Sequence, residues 1–190
     1  LARTQGFCAG VASAVEIVEQ ALTKYGAPLY VFHEIVHNTF VVSDFKNRGV
    51  IFVDDLTEVP DNERVIFSAH GVSPVIIEEA KRKNLKFIDA TCPLVSKVHR
   101  EAVLFSKRGY EIVLIGHKGH QELIGTSGYV APHLLHVVED EEDIDELLEL
   151  HDHSQFEVYG FCWSREDGTS IQKRVVNSMD HYIKIAEMSD

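Results

Sequence analysis

The hydrophobic positions of this chain alternate between short apolar runs and longer stretches with helical spacing. From Val11 to Tyr25 the apolar residues recur every three or four positions, and Gly26 is a typical helix stop. Short apolar runs that read as strands follow at 29–32, 50–53, 65–68, 85–88 and 112–115. Further helical stretches lie between them at 40–48, 74–83 and 93–107. Strands that alternate with helices predict an α/β fold with largely parallel sheets.

The length of 190 residues allows either one good core or two small lobes. We predict two α/β lobes, 1–92 and 93–190, with the boundary beside Cys92 and Pro93. The pattern is weaker after Tyr129. There the acidic run 139–143 is interpreted as the first turn of a surface helix, because negative charge stabilises a helix N-terminus. A strand is predicted at 155–161 and a terminal helix at 170–185.

Charge and cysteine usage narrow the function classes. The net charge of -12 argues against non-specific nucleic-acid binding, and an anionic substrate would need a local cluster of donors. No apolar run reaches membrane-spanning length and no signal-peptide pattern is visible, so we expect no membrane partner. Three cysteines are too few for a disulfide scaffold and predict a reducing compartment. We expect the cytoplasm, or the plastid stroma if the N-terminus is a processed end.

Two cysteines occupy matching positions before predicted helices. Cys8 lies in a glycine-flanked segment ahead of the first helix, and Cys92 lies between a strand and the helix that Pro93 opens. A helix N-terminus favours the thiolate, which is the form that binds iron or zinc. The two are too far apart in sequence for a compact Cys-x-x-Cys zinc module. Cys162 has a weaker context, and a core position and a functional one are equally compatible with it.

Polar residues follow the carboxyl ends of several predicted strands. His37, His70 and His120 each lie near a glycine or asparagine in such a loop. Singly, each histidine would be read as structural or as surface-exposed, but together they favour a site, because α/β sheets bind ligands outside these strand ends. Glu122 is compatible with a surface carboxylate or with a general acid tuned by burial. We expect these loops to line one cavity.

Five segments carry a resemblance to a known family. They are 6–11 (GFCAGV), 33–38 (HEIVHN), 67–73 (FSAHGVS), 89–95 (DATCPLV) and 115–122 (IGHKGHQE). In register and in order, over roughly the first 130 residues, they resemble 4-hydroxy-3-methylbut-2-enyl diphosphate reductase, the IspH/LytB family. The chain is thereby identified as similar to the first two of the three α/β lobes that the family has, without the third.

The resemblance implies an activity and a cofactor. The family binds a 4Fe–4S cluster through three cysteines and removes the allylic hydroxyl of its diphosphate substrate as water. The products are isopentenyl and dimethylallyl diphosphate, in non-mevalonate isoprenoid biosynthesis. Cys8 and Cys92 match two cluster ligands, His37, His70 and His120 match the substrate-binding histidines, and Glu122 matches the proton-delivering acid. A ferredoxin or flavodoxin is the implied electron donor.

The chain departs from the family in two places. The third ligand and a Ser-x-Asn diphosphate contact belong to the family's third lobe, and no such segments occur in this sequence. Where the family has a Gln-Thr-Thr-like motif, this chain has Gly160-Phe161-Cys162-Trp163. Cys162 could therefore act as the third cluster ligand or simply replace the threonine.

Two other functions compete with the reductase. One is a truncated, non-catalytic relative that binds a cluster or ligand without turnover, which the missing lobe favours. The other is a zinc hydrolase, which the residue types allow although no recognisable metal spacing supports it. The six matching chemical groups favour the enzyme, since a chain released from catalysis need not keep them.

Overall fold

A computed structural model of the protein describes residues 6–150 and 156–160. Its helices and strands alternate along the chain, which confirms the predicted α/β class. The elements are α1 (Ala9–Tyr25), β1 (Leu29–Phe32), α2 (Thr39–Asn47), β2 (Val50–Val53), β3 (Arg64–Phe67), α3 (Pro74–Arg82), β4 (Lys86–Asp89), α4 (Pro93–Ser106), β5 (Glu111–Ile115), α5 (Gln121–Ser127), β6 (Leu135–Val138), α6 (Glu141–Leu150) and β7 (Phe156–Gly160). The helix predicted at 170–185 lies outside the described residues.

Two compact units make up the chain, divided between Ser96 and Lys97, within α4. The predicted boundary after Cys92 lies close to this division and stays a prediction. None of the helices in the described part is long and apolar enough to cross a membrane.

The first unit is a four-stranded parallel sheet with the order β2-β1-β3-β4. Its central strands are apolar on both faces, and Val31 and Ile66 are fully buried. Strands covered on both faces read as continuous hydrophobic runs, which is why they were recognisable in the sequence. On one face Val18 of α1 and Phe45 of α2 pack into the same core.

The second unit is a three-stranded parallel sheet with the order β6-β5-β7. β5 lies in the centre, and its residues from Ile112 to Ile115 are buried. Ile115 pairs with Val138 on one side and with Gly160 on the other, so the three strands end at the same level. The loop after β5 therefore begins at the carboxyl edge of this sheet.

Candidate functional site

The first sheet has a topological switch point between β1 and β3. The chain leaves β1 towards β2 on one side and leaves β3 towards β4 on the other. The loops that follow these two neighbouring strands therefore diverge, which opens a crevice at their carboxyl ends. His37 and His70 belong to these two loops.

Backbone hydrogen bonds join three loops at this edge. The Ala69 N–H donates to the Ile35 carbonyl at 3.2 Å, which ties the loop after β3 to the loop after β1. The Cys92 N–H donates to the Ala69 carbonyl at 2.9 Å, which adds the loop after β4. The segments carrying His37, His70 and Cys92 are thus held in one row.

The two histidines of the first unit touch each other. The centroids of the His37 and His70 rings are 4.3 Å apart, with 35° between the ring planes. The buried hydroxyl Oγ of Ser68 lies 3.3 Å from Nδ1 of His70, and His70 itself is buried. This contact engages Nδ1 and orients the ring. Imidazole N–H groups are suitable donors to phosphate oxygens.

Both cysteines of the first unit lie at helix starts. Cys8 is the N-cap of α1, and its Sγ accepts a hydrogen bond from the Val11 N–H at 3.5 Å. The carbonyl of Cys92 accepts the bond from the Ser96 N–H at 2.9 Å as α4 begins. Neither thiol is in a disulfide.

The two sulfur atoms approach each other around Gly10. A Cβ atom placed on Gly10 would lie 2.5 Å from the Cys92 Sγ and 4.0 Å from the Cys8 Sγ. The absence of a side chain at this buried position is therefore what allows the Cys92 thiol to reach the first turn of α1. Residues far apart in sequence thus present two thiols together.

We predict that Gly10→Ala abolishes metal binding while the protein still folds. The new methyl group would overlap the Cys92 Sγ, and the free thiol can rotate away whereas a coordinated one cannot. Iron and sulfide analysis after anaerobic reconstitution, together with circular dichroism, tests this. Gly119→Ala is the matched control, because nothing lies within 4 Å of a Cβ there. Equal iron in the two variants would contradict the prediction.

In the second unit, His120 and Glu122 open α5 immediately after the β5 loop. His120 is the N-cap of this helix, and its Nδ1 accepts a hydrogen bond from the Glu122 N–H at 3.3 Å. Glu122 is only 6% exposed, which excludes the surface interpretation. Burial disfavours the charged carboxylate and raises the pKa of Glu122 to about 7. The carboxyl group can therefore hold a proton near neutral pH.

The predicted site residues thus fall into the two units. Cys8, Cys92, His37 and His70 share the carboxyl edge of the first sheet, whereas His120 and Glu122 lie in the second unit. Cys162 lies outside the described residues. Sequence reasoning did not single out Ser68, although a small hydroxyl residue two positions before a loop histidine is a usable signal for a ring-orienting contact.

The donor chemistry of the first unit fits an iron–sulfur cluster as far as the described residues reach. Iron–sulfur clusters are held by cysteine thiolates, and two unpaired thiols here converge on one glycine. Within residues 6–150 and 156–160, no group of three His, Cys, Asp or Glu side chains could hold a metal ion.

These features define a class: a parallel α/β protein with thiols, imidazoles and a buried acid at its strand ends. A family model described as LytB protein matches residues 1–187. The chain belongs to the LytB family, and the match extends well beyond the five motifs.

Curated relatives carry the name 4-hydroxy-3-methylbut-2-enyl diphosphate reductase. The protein of Azotobacter vinelandii is 55% identical over 150 residues, covering 77% of this chain and 48% of the relative. That of Corynebacterium diphtheriae is 48% identical over 182 residues, covering 95% of this chain and 54% of the relative. The chain therefore spans about half the length of the curated relatives it matches.

Solved structures share the fold. The E-1-hydroxy-2-methyl-but-2-enyl-4-diphosphate reductase from Plasmodium falciparum has a TM-score of 0.87 at 42% identity, covering 97% of this chain and 57% of that one. A structure described as the terminal enzyme of the non-mevalonate pathway has a TM-score of 0.76 at 35% identity, covering 95% of this chain and 63% of that one.

Proposed function

We propose that this chain acts in the reductive removal of the allylic hydroxyl of 4-hydroxy-3-methylbut-2-enyl diphosphate, giving isopentenyl and dimethylallyl diphosphate. The observation that carries the proposal is the approach of the Cys8 and Cys92 thiols around Gly10, at the same sheet edge as the paired histidines, in a member of the LytB family. The reaction consumes two electrons and two protons, and the hydroxyl leaves as water.

Cys8 and Cys92 are the residues that would hold a 4Fe–4S cluster. They lie at the starts of α1 and α4. When bound, such a cluster supplies electrons and a Lewis-acidic iron for the substrate hydroxyl. Gly10 keeps space open between the two thiols, and Val11 supports Cys8 through its backbone N–H.

The histidines would bind the diphosphate. His37 and His70 offer imidazole donors side by side at the switch point, and Ser68 holds the His70 ring in place. His120 would provide a further donor from the second unit. These local donors counter a net charge of -12, which would otherwise repel an anionic substrate.

Glu122 would deliver a proton to the leaving oxygen. Its carboxyl group is buried, and its pKa is raised to about 7, so it can be protonated at neutral pH. Protonation of the leaving group avoids expulsion of hydroxide, which lowers the barrier to breaking the carbon–oxygen bond. A small one-electron carrier such as a ferredoxin or flavodoxin is the proposed reductant.

We expect Cys162→Ser to remove the cluster signal, because Cys162 is proposed to supply the third thiolate. Strand β7 ends at Gly160, directly beside Ile115 at the carboxyl edge of the second sheet, and Cys162 follows soon after in the sequence. The test compares the visible absorption and iron content of the variant with those of the parent after anaerobic reconstitution. An unchanged cluster in the variant would exclude Cys162 as a ligand.

Turnover tests the proposal directly. The anaerobic chain, a chemically reduced dye and the diphosphate substrate are combined, and dye oxidation and product formation are followed. Formation of both isoprenyl diphosphates is expected. A bound cluster without turnover would favour the non-catalytic relative. Zinc in place of iron would revive the hydrolase.

A further inference from the structure

Three consecutive residues after β5 are all bonded to residues between the end of β6 and the first turn of α6. The Gly116 N–H donates to the Val138 carbonyl at 2.9 Å, which extends the strand pairing by one residue. His117 Nδ1 lies 3.1 Å from Glu139 Oε1. The loop carrying the motif 115–122 is therefore attached side by side to the turn before α6.

The third contact is an ion pair between Lys118 and Asp143. Lys118 Nζ donates to Asp143 Oδ1 at 2.8 Å, while Asp143 Oδ2 accepts from the Glu139 N–H at 2.8 Å. Hydrogen bonding to Asp143 raises the pKa of Lys118. Burial acts to raise the pKa of Asp143, but the bonds from Lys118 and the backbone lower it overall.

The acidic partner of this pair is largely shielded from water, whereas the Lys118 side chain is 54% exposed. The Asp143 side chain is only 18% exposed, and each of its oxygens has its own donor. Freely exposed pairs contribute little because two mobile side chains must be ordered in water. Here the carboxylate is already fixed by the backbone of the turn, so less conformational entropy is lost when Lys118 binds.

Two further hydrogen bonds connect this loop to the start of α5. The His117 carbonyl accepts the His120 N–H at 2.8 Å. His120 in turn caps α5 by accepting the Glu122 N–H at 3.3 Å. Asp143 is thus connected to Glu122 through the Lys118 ion pair, the adjoining loop backbone and the hydrogen bonds of His120.

We propose that Lys118 and Asp143 are positioning residues that hold the loop 116–120, so that His120 and Glu122 keep their places at the start of α5. The role in catalysis rests on the proposed function of His120 and Glu122. The proposal that Lys118 and Asp143 position the loop rests on the contacts alone, and it can be tested without measuring turnover.

Lys118→Met is the first test, because methionine keeps the length of the side chain but loses the charge. Amide hydrogen exchange of 117–122 is expected to quicken about tenfold, since the loop opens more often. The catalytic efficiency of the loaded chain is expected to fall about tenfold through misplacement of the reacting groups. Lys118→Arg should restore both quantities, because it keeps the charge.

Lys97→Met is the matched control within the same unit. Lys97 forms a pair with Glu101 along α4, at 3.8 Å, and its side chain is 59% exposed. We expect parental exchange in 117–122 and parental catalytic efficiency. Amide exchange of β5 should stay parental in both Lys97→Met and Lys118→Met, which separates positioning of the loop from general stability.

Asp143→Asn tests the other partner. The asparagine amide oxygen can still accept the Glu139 N–H, so the turn is preserved while the ion pair is lost. The double variant with Lys118→Met should show no greater effect than either single variant, because the two residues act as one unit.

The outcomes separate the two proposals. Parental exchange of 117–122 in Lys118→Met, or an equal rise in Lys97→Met, overturns the positioning role. If the parent chain does not reduce the diphosphate, the proposed function fails, and the exchange measurements alone decide the positioning role. Faster exchange of 117–122 in both Lys118→Met and Asp143→Asn, with parental exchange in Lys118→Arg, supports the positioning role.

Discussion

Replacing Cys92 with alanine is expected to lower the affinity for an iron–sulfur cluster by more than about 100-fold. Changes to residues that merely support a metal ligand already cost about 10- to 100-fold, and a lost thiolate removes a bond to the metal itself. The Cys92 Sγ lies 2.5 Å from the Cβ position of Gly10, beside the Cys8 thiol, so no neighbouring described sulfur can replace it. Iron and acid-labile sulfide per chain measure the loss.

Cys8→Ala is the parallel variant and should give the same result. Alanine at either position removes only a sulfur atom, and Cys8 is exposed while Cys92 is partly exposed, so the fold should persist. Circular dichroism of both variants checks this. Retention of the parental iron content in either variant would contradict the proposed ligand pair.

Glu122→Gln is expected to lower turnover by about 100- to 10,000-fold, the range associated with loss of a general acid. Glutamine keeps the shape of the buried side chain but cannot deliver a proton. Steady-state rates with a reduced dye, at matched cluster content, measure the effect. Parental rates in this variant would exclude Glu122 as the proton donor.

The pH dependence provides a second signature of Glu122. Because the acid must be protonated, parental activity should be level below its pKa of about 7 and fall about tenfold per pH unit above it. In Glu122→Gln this fall in activity at higher pH should be absent.

Stability should change in the same pH range. The pKa of Glu122 rises from 4.5 in the unfolded chain to about 7 in the folded protein. The folded state therefore binds the proton more tightly, so the stabilisation is complete below about pH 4.5 and is lost as pH rises towards 7. This contribution to the free energy of unfolding amounts to about 3 kcal/mol. Urea unfolding of the parent and of Glu122→Gln at pH 5 and pH 7.5 isolates it.

The strongly apolar part of the fold was predictable. β1, β3 and β5 are central strands covered on both faces, so their sequences are short continuous apolar runs. α5 and β6 were missed for local reasons. α5 has only seven residues, too few to establish a period, and His136 interrupts the apolar run of β6.

The site was less accessible to sequence reasoning than the fold. Helix starts at Cys8 and Cys92 follow from local signals, but their approach around Gly10 depends on the packing of α1 beside the β4–α4 loop. Burial of Glu122 is likewise a tertiary property, which is why two interpretations stood open until the structure was known. The pairing of Lys118 with Asp143 joins residues 25 positions apart, and no local pattern signals it.

The most direct measurement is the iron and acid-labile sulfide content of the parent chain, purified without oxygen and reconstituted, with its visible spectrum. We expect about four irons per chain. Cys8, Cys92 and a third thiolate, proposed to be that of Cys162, would then hold the cluster. An absence of iron after reconstitution would mean that these cysteines do not hold a cluster, which would overturn the proposed function.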